Sequence, residues 1–204
     1  MIRSERIPEE SLPELAHGSH SFGWWGMVWL IATEATLFAA LIASYFYLRF
    51  RSGPVWPPDG IEDPHLGLPL IMSAILLSST IPVHLAEAGI KKGKQGRLRW
   101  GLGLGFLLGA VFFGMTVAIE WPEKLHEFGP TTNAYGSLYF TVTGFHAAHV
   151  LAGLAFSAWA QVRAWKGAFS AERHLTVQNF ALYWHFVDVV WVFVFLTIYL
   201  SPHL

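Results

Sequence analysis

The 204-residue chain contains no cysteine, which excludes disulfides, thiolate metal sites and cysteine nucleophiles together. Charge is scarce: 13% of the residues are Asp, Glu, Lys or Arg, against about 25% in ordinary soluble domains. The first twenty-two residues lack an apolar core ahead of a cleavage site and carry Glu5, Glu9, Glu10 and Glu14 beside Arg3 and Arg6. No secretory signal peptide is therefore expected, and the first apolar segment acts as its own insertion signal. Neither an H-E-x-x-H pattern nor a glycine-rich turn between strand and helix occurs, which removes the simplest zinc and phosphate readings. A formal net charge of −1 gives no reason to expect nucleic acid.

What remains is hydrocarbon: 53% of the residues are hydrophobic. Five segments, near 23–50, 66–90, 98–121, 135–164 and 174–200, are apolar over about twenty residues or more, enough to cross a ~30 Å hydrocarbon core as helices. The expected fold is all-α, a polytopic bundle of five transmembrane helices. A polar cytoplasmic segment, 1–22, precedes one membrane domain, 23–201. Pro54, Pro57, Pro58 and Pro64 make the first connection a folded loop, with Trp56 expected at the interface.

Of the 13 Lys and Arg residues, ten lie in the N-terminus and the second and fourth connections, and only Arg49, Arg51 and Lys124 lie on the other side. That asymmetry places the N-terminus in the cytoplasm and the C-terminus outside. Trp24, Trp25, Trp100, Trp121, Tyr135, Trp165 and Tyr199 fall near segment ends, as interfacial belts require. Gly101, Gly105 and Gly109 recur every four residues on one stripe of the third segment, a surface on which a second helix packs closely.

Several polar residues sit at depth. Glu34 follows Gly23 by eleven residues, about 16 Å along a helix; His146 and His185 lie equally far into their segments, and Asp188 is one turn beyond His185. All four fall near the midplane and are expected to meet inside the bundle. Ionisable residues at that depth act as functional or structural anchors. Glu34, among Leu30, Ile31, Leu37 and Phe38, either fixes a helix contact through a hydrogen bond or handles protons or lipid beside a neighbouring subunit. His146 and His149, three apart, make interhelical hydrogen bonds or, with His84 and His185, ligate a metal or haem. His185 and Asp188 share a face and form a structural contact. Ser78, Ser79 and Thr80 are expected to bond back to their own helix. Glu120 reads as an interfacial carboxylate in contact with a loop, and Arg163 as a snorkelling or lipid-phosphate-binding cation.

The run from Tyr183 to Trp191, continued by Phe193, Phe195, Ile198 and Tyr199, resembles the last helix of subunit III of the haem–copper respiratory oxidases, the cytochrome c oxidase family. Tyr135-Gly136-Ser137 with Phe140, then Thr143-Gly144-Phe145-His146, His149, Val150 and Gly153, is similar to a second signature of that family. Trp25-Gly26-Met27 leading to Glu34 and Phe38 is similar to the helix bearing its membrane carboxylate. Leu76, Leu77, Ser78, Ser79 and Glu120 fit the same pattern. The resemblance covers about residues 22–201.

It implies a short, five-helix bacterial subunit III of a proton-pumping terminal oxidase in the plasma membrane, which reduces oxygen to water. Glu34 falls on the carboxylate that supports proton uptake by subunit I, and Arg163 on a lipid-phosphate arginine. His146, His149, His185 and Asp188 fall on positions that fix the bundle and its partner surface and are not metal ligands. The chain itself would carry no redox cofactor and no catalytic residue; haems and copper belong to subunits I and II, its partners, and phospholipid to its surface. Two departures stand out: the polar N-terminus occupies the place of two family helices that wall a lipid-filled cleft, and Gln178 stands near a frequent family glutamate. The alternatives are a quinol oxidase subunit III, an accessory subunit of nitric oxide reduction, a haem-binding electron carrier and a small proton-coupled transporter.

Overall fold

The computed structural model describes residues 21–204 apart from 54, 59 and 63; the segment expected to be cytoplasmic, 1–22, therefore lies almost wholly outside the described residues. Five helices are long and apolar enough to span a membrane: α1 (Phe22–Ser52), α2 (Gly67–Lys91), α3 (Gln95–Glu127), α4 (Ala134–Trp165) and α5 (Leu175–His203). No strand occurs among the described residues. Their ends obey ordinary capping chemistry: the Ser21 side chain accepts from the Trp24 N–H and the Asn133 side chain from the Gly136 N–H, each satisfying an orphan donor of a first turn.

Helix α5 packs against α1, α2 and α4, and α3 packs against α2 and α4. The core is aromatic and lies mostly along α5. Trp184 donates from Nε1 to Ser79 Oγ of α2 at 2.8 Å, and its ring lies between two glycines. A Cβ on Gly109 of α3 would stand 2.6 Å from that ring, and one on Gly153 of α4 2.7 Å. One turn pair further on, Trp191 donates to Ser73 Oγ at 2.9 Å. The glycine stripe thus divides its work. A Cβ on Gly101 would meet the Pro82 carbonyl oxygen at 2.4 Å, and one on Gly105 would meet Val83 at 2.6 Å, so these two seat α3 on α2 while Gly109 makes room for an indole.

Helix α1 is the least embedded, with only Phe38 and Tyr45 buried. It is tied to α5 near each end, where Asn179 Nδ2 donates to the Gly23 carbonyl at 3.1 Å and Ser201 Oγ to Tyr45 Oη at 3.4 Å. The first connection differs from expectation: Trp56 is 7% exposed and packs edge-on against Tyr45 and Tyr135, with ring centroids 5.7 and 5.5 Å apart. The loop folds over the end of the bundle instead of leaving Trp56 at the lipid interface. Tyr135 and Tyr199, expected in the belts, are each 1% exposed, whereas Trp100 and Trp165 are 83% and 63% exposed.

The third helix, expected to end near residue 121, runs on to Glu127. The reason is a π-helical turn, Thr116–Glu120, immediately before Trp121-Pro122. In an α-helix the Pro122 ring would clash with the carbonyl four residues back. The wider i→i+5 turn, closed by the Trp121 N–H on the Thr116 carbonyl, relieves that clash. The same device recurs in α5, where the π-turn Leu196–Leu200 precedes Ser201-Pro202.

Candidate functional site

The deep polar residues do not form one constellation. They divide into three groups at different angles around the bundle, because depth along a helix does not decide which side of it a residue occupies.

The first group joins α1 to α4. His149 Nε2 stands 3.1 Å from Glu34 Oε2, with the histidine side chain 14% and the glutamate 33% exposed. His149 Nδ1 is 2.7 Å from the Phe145 carbonyl oxygen of its own helix. A carbonyl only accepts, so Nδ1 carries a hydrogen and Nε2 is the free valence of the neutral ring. A bond between Nε2 and the Glu34 carboxyl then needs one further proton, held on either partner. Tyr183 Oη of α5 donates to the His149 carbonyl at 3.2 Å, and Phe38 packs edge-on to the His149 ring at 5.1 Å. Beside the pair lies a surface groove of about 490 Å³ bordered by Met27, Leu30, Ala152 and Phe156.

His146, three residues earlier, is 1% exposed and enclosed by rings. Its centroid lies 5.0 Å from Trp191, 5.8 Å from Phe112 and 6.5 Å from Phe38. Neither ring nitrogen has a hydrogen-bond partner among the described residues. The expected interhelical hydrogen bond therefore falls to His149 alone. Residues three apart on a helix differ by about 60° in direction, enough to aim one imidazole at Glu34 and the other into the aromatic core.

The second group joins α5 to α2. Thr80 donates to Asp188 Oδ2, so Thr80, expected to bond back to its own helix, instead crosses to α5. Ser78 and Ser79 do bond back, to the Ile75 and Leu76 carbonyls. His185 is half-buried, with Glu87 and His84 of α2 nearby. His185 and Asp188 thus share the α2-facing side of α5.

The third group was not expected from the sequence. Glu120 is 3% exposed; its Oε1 accepts from Tyr139 Oη at 2.7 Å and from Tyr199 Oη. A carboxylate beside Trp-Pro at a segment end looks interfacial, but the π-turns before Pro122 and Pro202 carry Glu120 and Tyr199 into the interior, where they meet. Lys124, one turn on, is also buried and pairs with Glu127 at 2.9 Å. The signals in the sequence were the fit of Glu120 to the family pattern and a proline two residues beyond Glu120 and three beyond Tyr199.

Arg163 is exposed at the end of α4, its guanidinium 5.0 Å from the Trp159 ring and 6.0 Å from Phe169. Such stacking leaves the charged head at the interface. Among the described residues no group of three or more His, Asp or Glu side chains is placed to hold a metal ion.

Comparison with known proteins agrees with this architecture. Residues 17–202 match the family model of cytochrome c oxidase subunit III. A cytochrome c oxidase subunit 3 from Synechocystis is 35% identical over 193 residues, 92% of this chain and 81% of the relative. A cytochrome bo(3) ubiquinol oxidase subunit 3 from Pseudomonas aeruginosa is 35% identical over 184 residues, covering 90% and 85%. The cytochrome c oxidase subunit 3 of Lumbricus terrestris is 36% identical over 180 residues, covering 86% and 68%.

Proposed function

The chain belongs to the cytochrome c oxidase subunit III family, and from that premise we propose that it is the non-redox third subunit of a bacterial proton-pumping terminal oxidase, seated on subunit I in the plasma membrane. It is a multi-pass membrane component of an oxidoreductase complex whose other subunits are its partners. In this reading the haems and copper reside in subunits I and II. Oxygen is reduced there, and this chain performs no catalytic step itself. Its contribution is to sustain proton supply and to keep subunit I stable during turnover.

The observation that carries the reading is the Glu34–His149 pair, 3.1 Å apart. It lies at mid-membrane depth, and Glu34 keeps a third of its side-chain surface open on the outside of the bundle. A fully interior pair would only staple α1 to α4. An outward-facing one can exchange a proton with a neighbouring surface. Glu34→Gln preserves shape and a hydrogen bond to the imidazole while removing the ionisable carboxyl. The expected result is a complex that assembles normally but takes up protons more slowly, or inactivates sooner during turnover. Unchanged turnover lifetime and proton stoichiometry in the purified variant would overturn the reading.

The match to a ubiquinol oxidase subunit 3 favours quinol as the second electron-donor reading. Oxygen consumption by the native complex with reduced cytochrome c, compared with that with a quinol, separates the two.

A further inference from the structure

Sharing no residue with the Glu34 groove, α2, α3 and α4 enclose a second groove of about 930 Å³. Its walls are apolar, with Pro82 and Leu85 on α2 and Leu104 and Leu107 on α3; its mouth carries Arg97, Trp100 and Trp165. We propose that this groove binds one anionic phospholipid, an acyl chain lying along Leu104 and Leu107 and the headgroup phosphate at Arg97.

The first argument is length. From Arg97 to Leu107 is ten residues, about 15 Å of helix, half of a ~30 Å hydrocarbon core. The α2 wall agrees, since Pro82 lies nine residues, about 14 Å, from the helix end at Lys91. The groove therefore starts at one interface and stops near the midplane, which suits the tail of one leaflet. A transmembrane helix of another chain would need a contact running the full thickness.

The second argument is charge. Lys92, Lys94 and Arg97 form no ion pair among the described residues, and the nearby Glu87 is already paired with Lys91 at 2.6 Å. Helix α3 also begins without a side-chain cap; the Gln95 N–H is taken by the Gly93 carbonyl at 3.1 Å, which leaves the N–H groups of Gly96 and Arg97 in the first turn facing the mouth. The exposed rings of Trp100 and Trp165 mark headgroup level.

The third argument is that the site is preformed. The Arg99 guanidinium lies 4.8 Å over the Trp165 ring, Arg99 Nε donates to the Ala164 carbonyl at 3.3 Å, and Gln161 Nε2 donates to the Arg99 carbonyl at 3.0 Å. These contacts fix α3 against α4 and leave Arg97 free to meet a phosphate. The site stands apart from Arg163, whose guanidinium is turned to Trp159 and Phe169.

The test is lipid retention by the native complex, delipidated and then reloaded from vesicles of phosphatidylglycerol or phosphatidylcholine and read by native mass spectrometry. One phosphatidylglycerol per chain is expected to survive, and Arg97→Gln should weaken its retention about fivefold, the effect of one basic residue near an anionic headgroup. Leu104→Trp, which fills the groove from an exposed position, should abolish retention of that lipid. Equal retention of phosphatidylcholine, or full retention in both variants, overturns the proposal. Benzoylphenylalanine at position 107 gives a readout independent of either variant's assembly: cross-linking to lipid supports the proposal, and cross-linking to a polypeptide overturns it.

Discussion

The close approach of α3 to α2 gives a prediction whose sign depends on geometry alone. At Gly101 an added Cβ would stand 2.4 Å from the Pro82 carbonyl oxygen and 2.7 Å from Ala86 Cβ. Both obstacles belong to the backbone or lie next to it, so no flexible side chain can yield, and α2 and α3 must separate. Overpacking of this kind costs about 1–3 kcal/mol. Against it stands the helix propensity gained on replacing Gly by Ala, about 0.8–1.0 kcal/mol. Gly114, on the same helix, has nothing within 4 Å of its Cβ position, so Gly114→Ala collects the propensity gain without the clash. Gly101→Ala should therefore fall below Gly114→Ala by about 1–3 kcal/mol. Equilibrium unfolding of the purified chain in mixed micelles, monitored by far-UV circular dichroism, compares the two variants directly. Equal stability of the two would refute the claim that Gly101 sets the distance between the helices.

Other sites give shorter tests. Glu120→Leu removes the acceptor shared by the Tyr139 and Tyr199 hydroxyls; these stand 3.4 Å apart and can pair with each other, so one buried hydroxyl is left unsatisfied, at about 1–3 kcal/mol; Glu120→Gln retains an acceptor oxygen, and its thermal transition should fall clearly less. For Thr80 and Asp188, a double-mutant cycle with Thr80→Val and Asp188→Leu, which removes the acceptor, should return a coupling of about 0.6–1.7 kcal/mol, the range of hydrogen bonds inside membranes. Ser79→Ala removes the acceptor of the Trp184 N–H without touching the rings around it, so it should destabilise the chain while Trp184 fluorescence stays that of a buried indole. His146→Leu places an apolar side chain of similar volume where no hydrogen bond is lost, so stability should be retained or raised; a large loss in unfolding measurements would mean that its imidazole nitrogens bind something essential.

Helix α5 links these tests to the family's architecture. Its indoles reach serines of α2, its Tyr183 reaches α4, and its Asn179 and Ser201 hold α1. The Tyr183–Trp191 run drew attention for a histidine and an aspartate in hydrocarbon, yet its tryptophans hold the bundle. Membrane helices have little hydrophobic drive to associate, so large rings seated against glycine, each with its N–H satisfied, do the work that burial does in water.

The sequence by itself determined the five spans, the glycine stripe as a surface for close helix packing and the membership of the family. Each rests on a property that runs along the chain: the length of apolar segments, the spacing of small residues and the order of motifs. Depth is such a property too, and it placed Glu34, His146, His185 and Asp188 at one level. Only the tertiary structure decided direction. Packing of five helices at fixed azimuths sends His149 to Glu34, His146 among rings and Asp188 to Thr80. Likewise, two π-turns ahead of Pro122 and Pro202 turn Glu120 and Tyr199 inward. A sequence records how far along a helix a side chain lies, whereas the partner it finds depends on neighbouring helices whose placement is a property of the whole bundle.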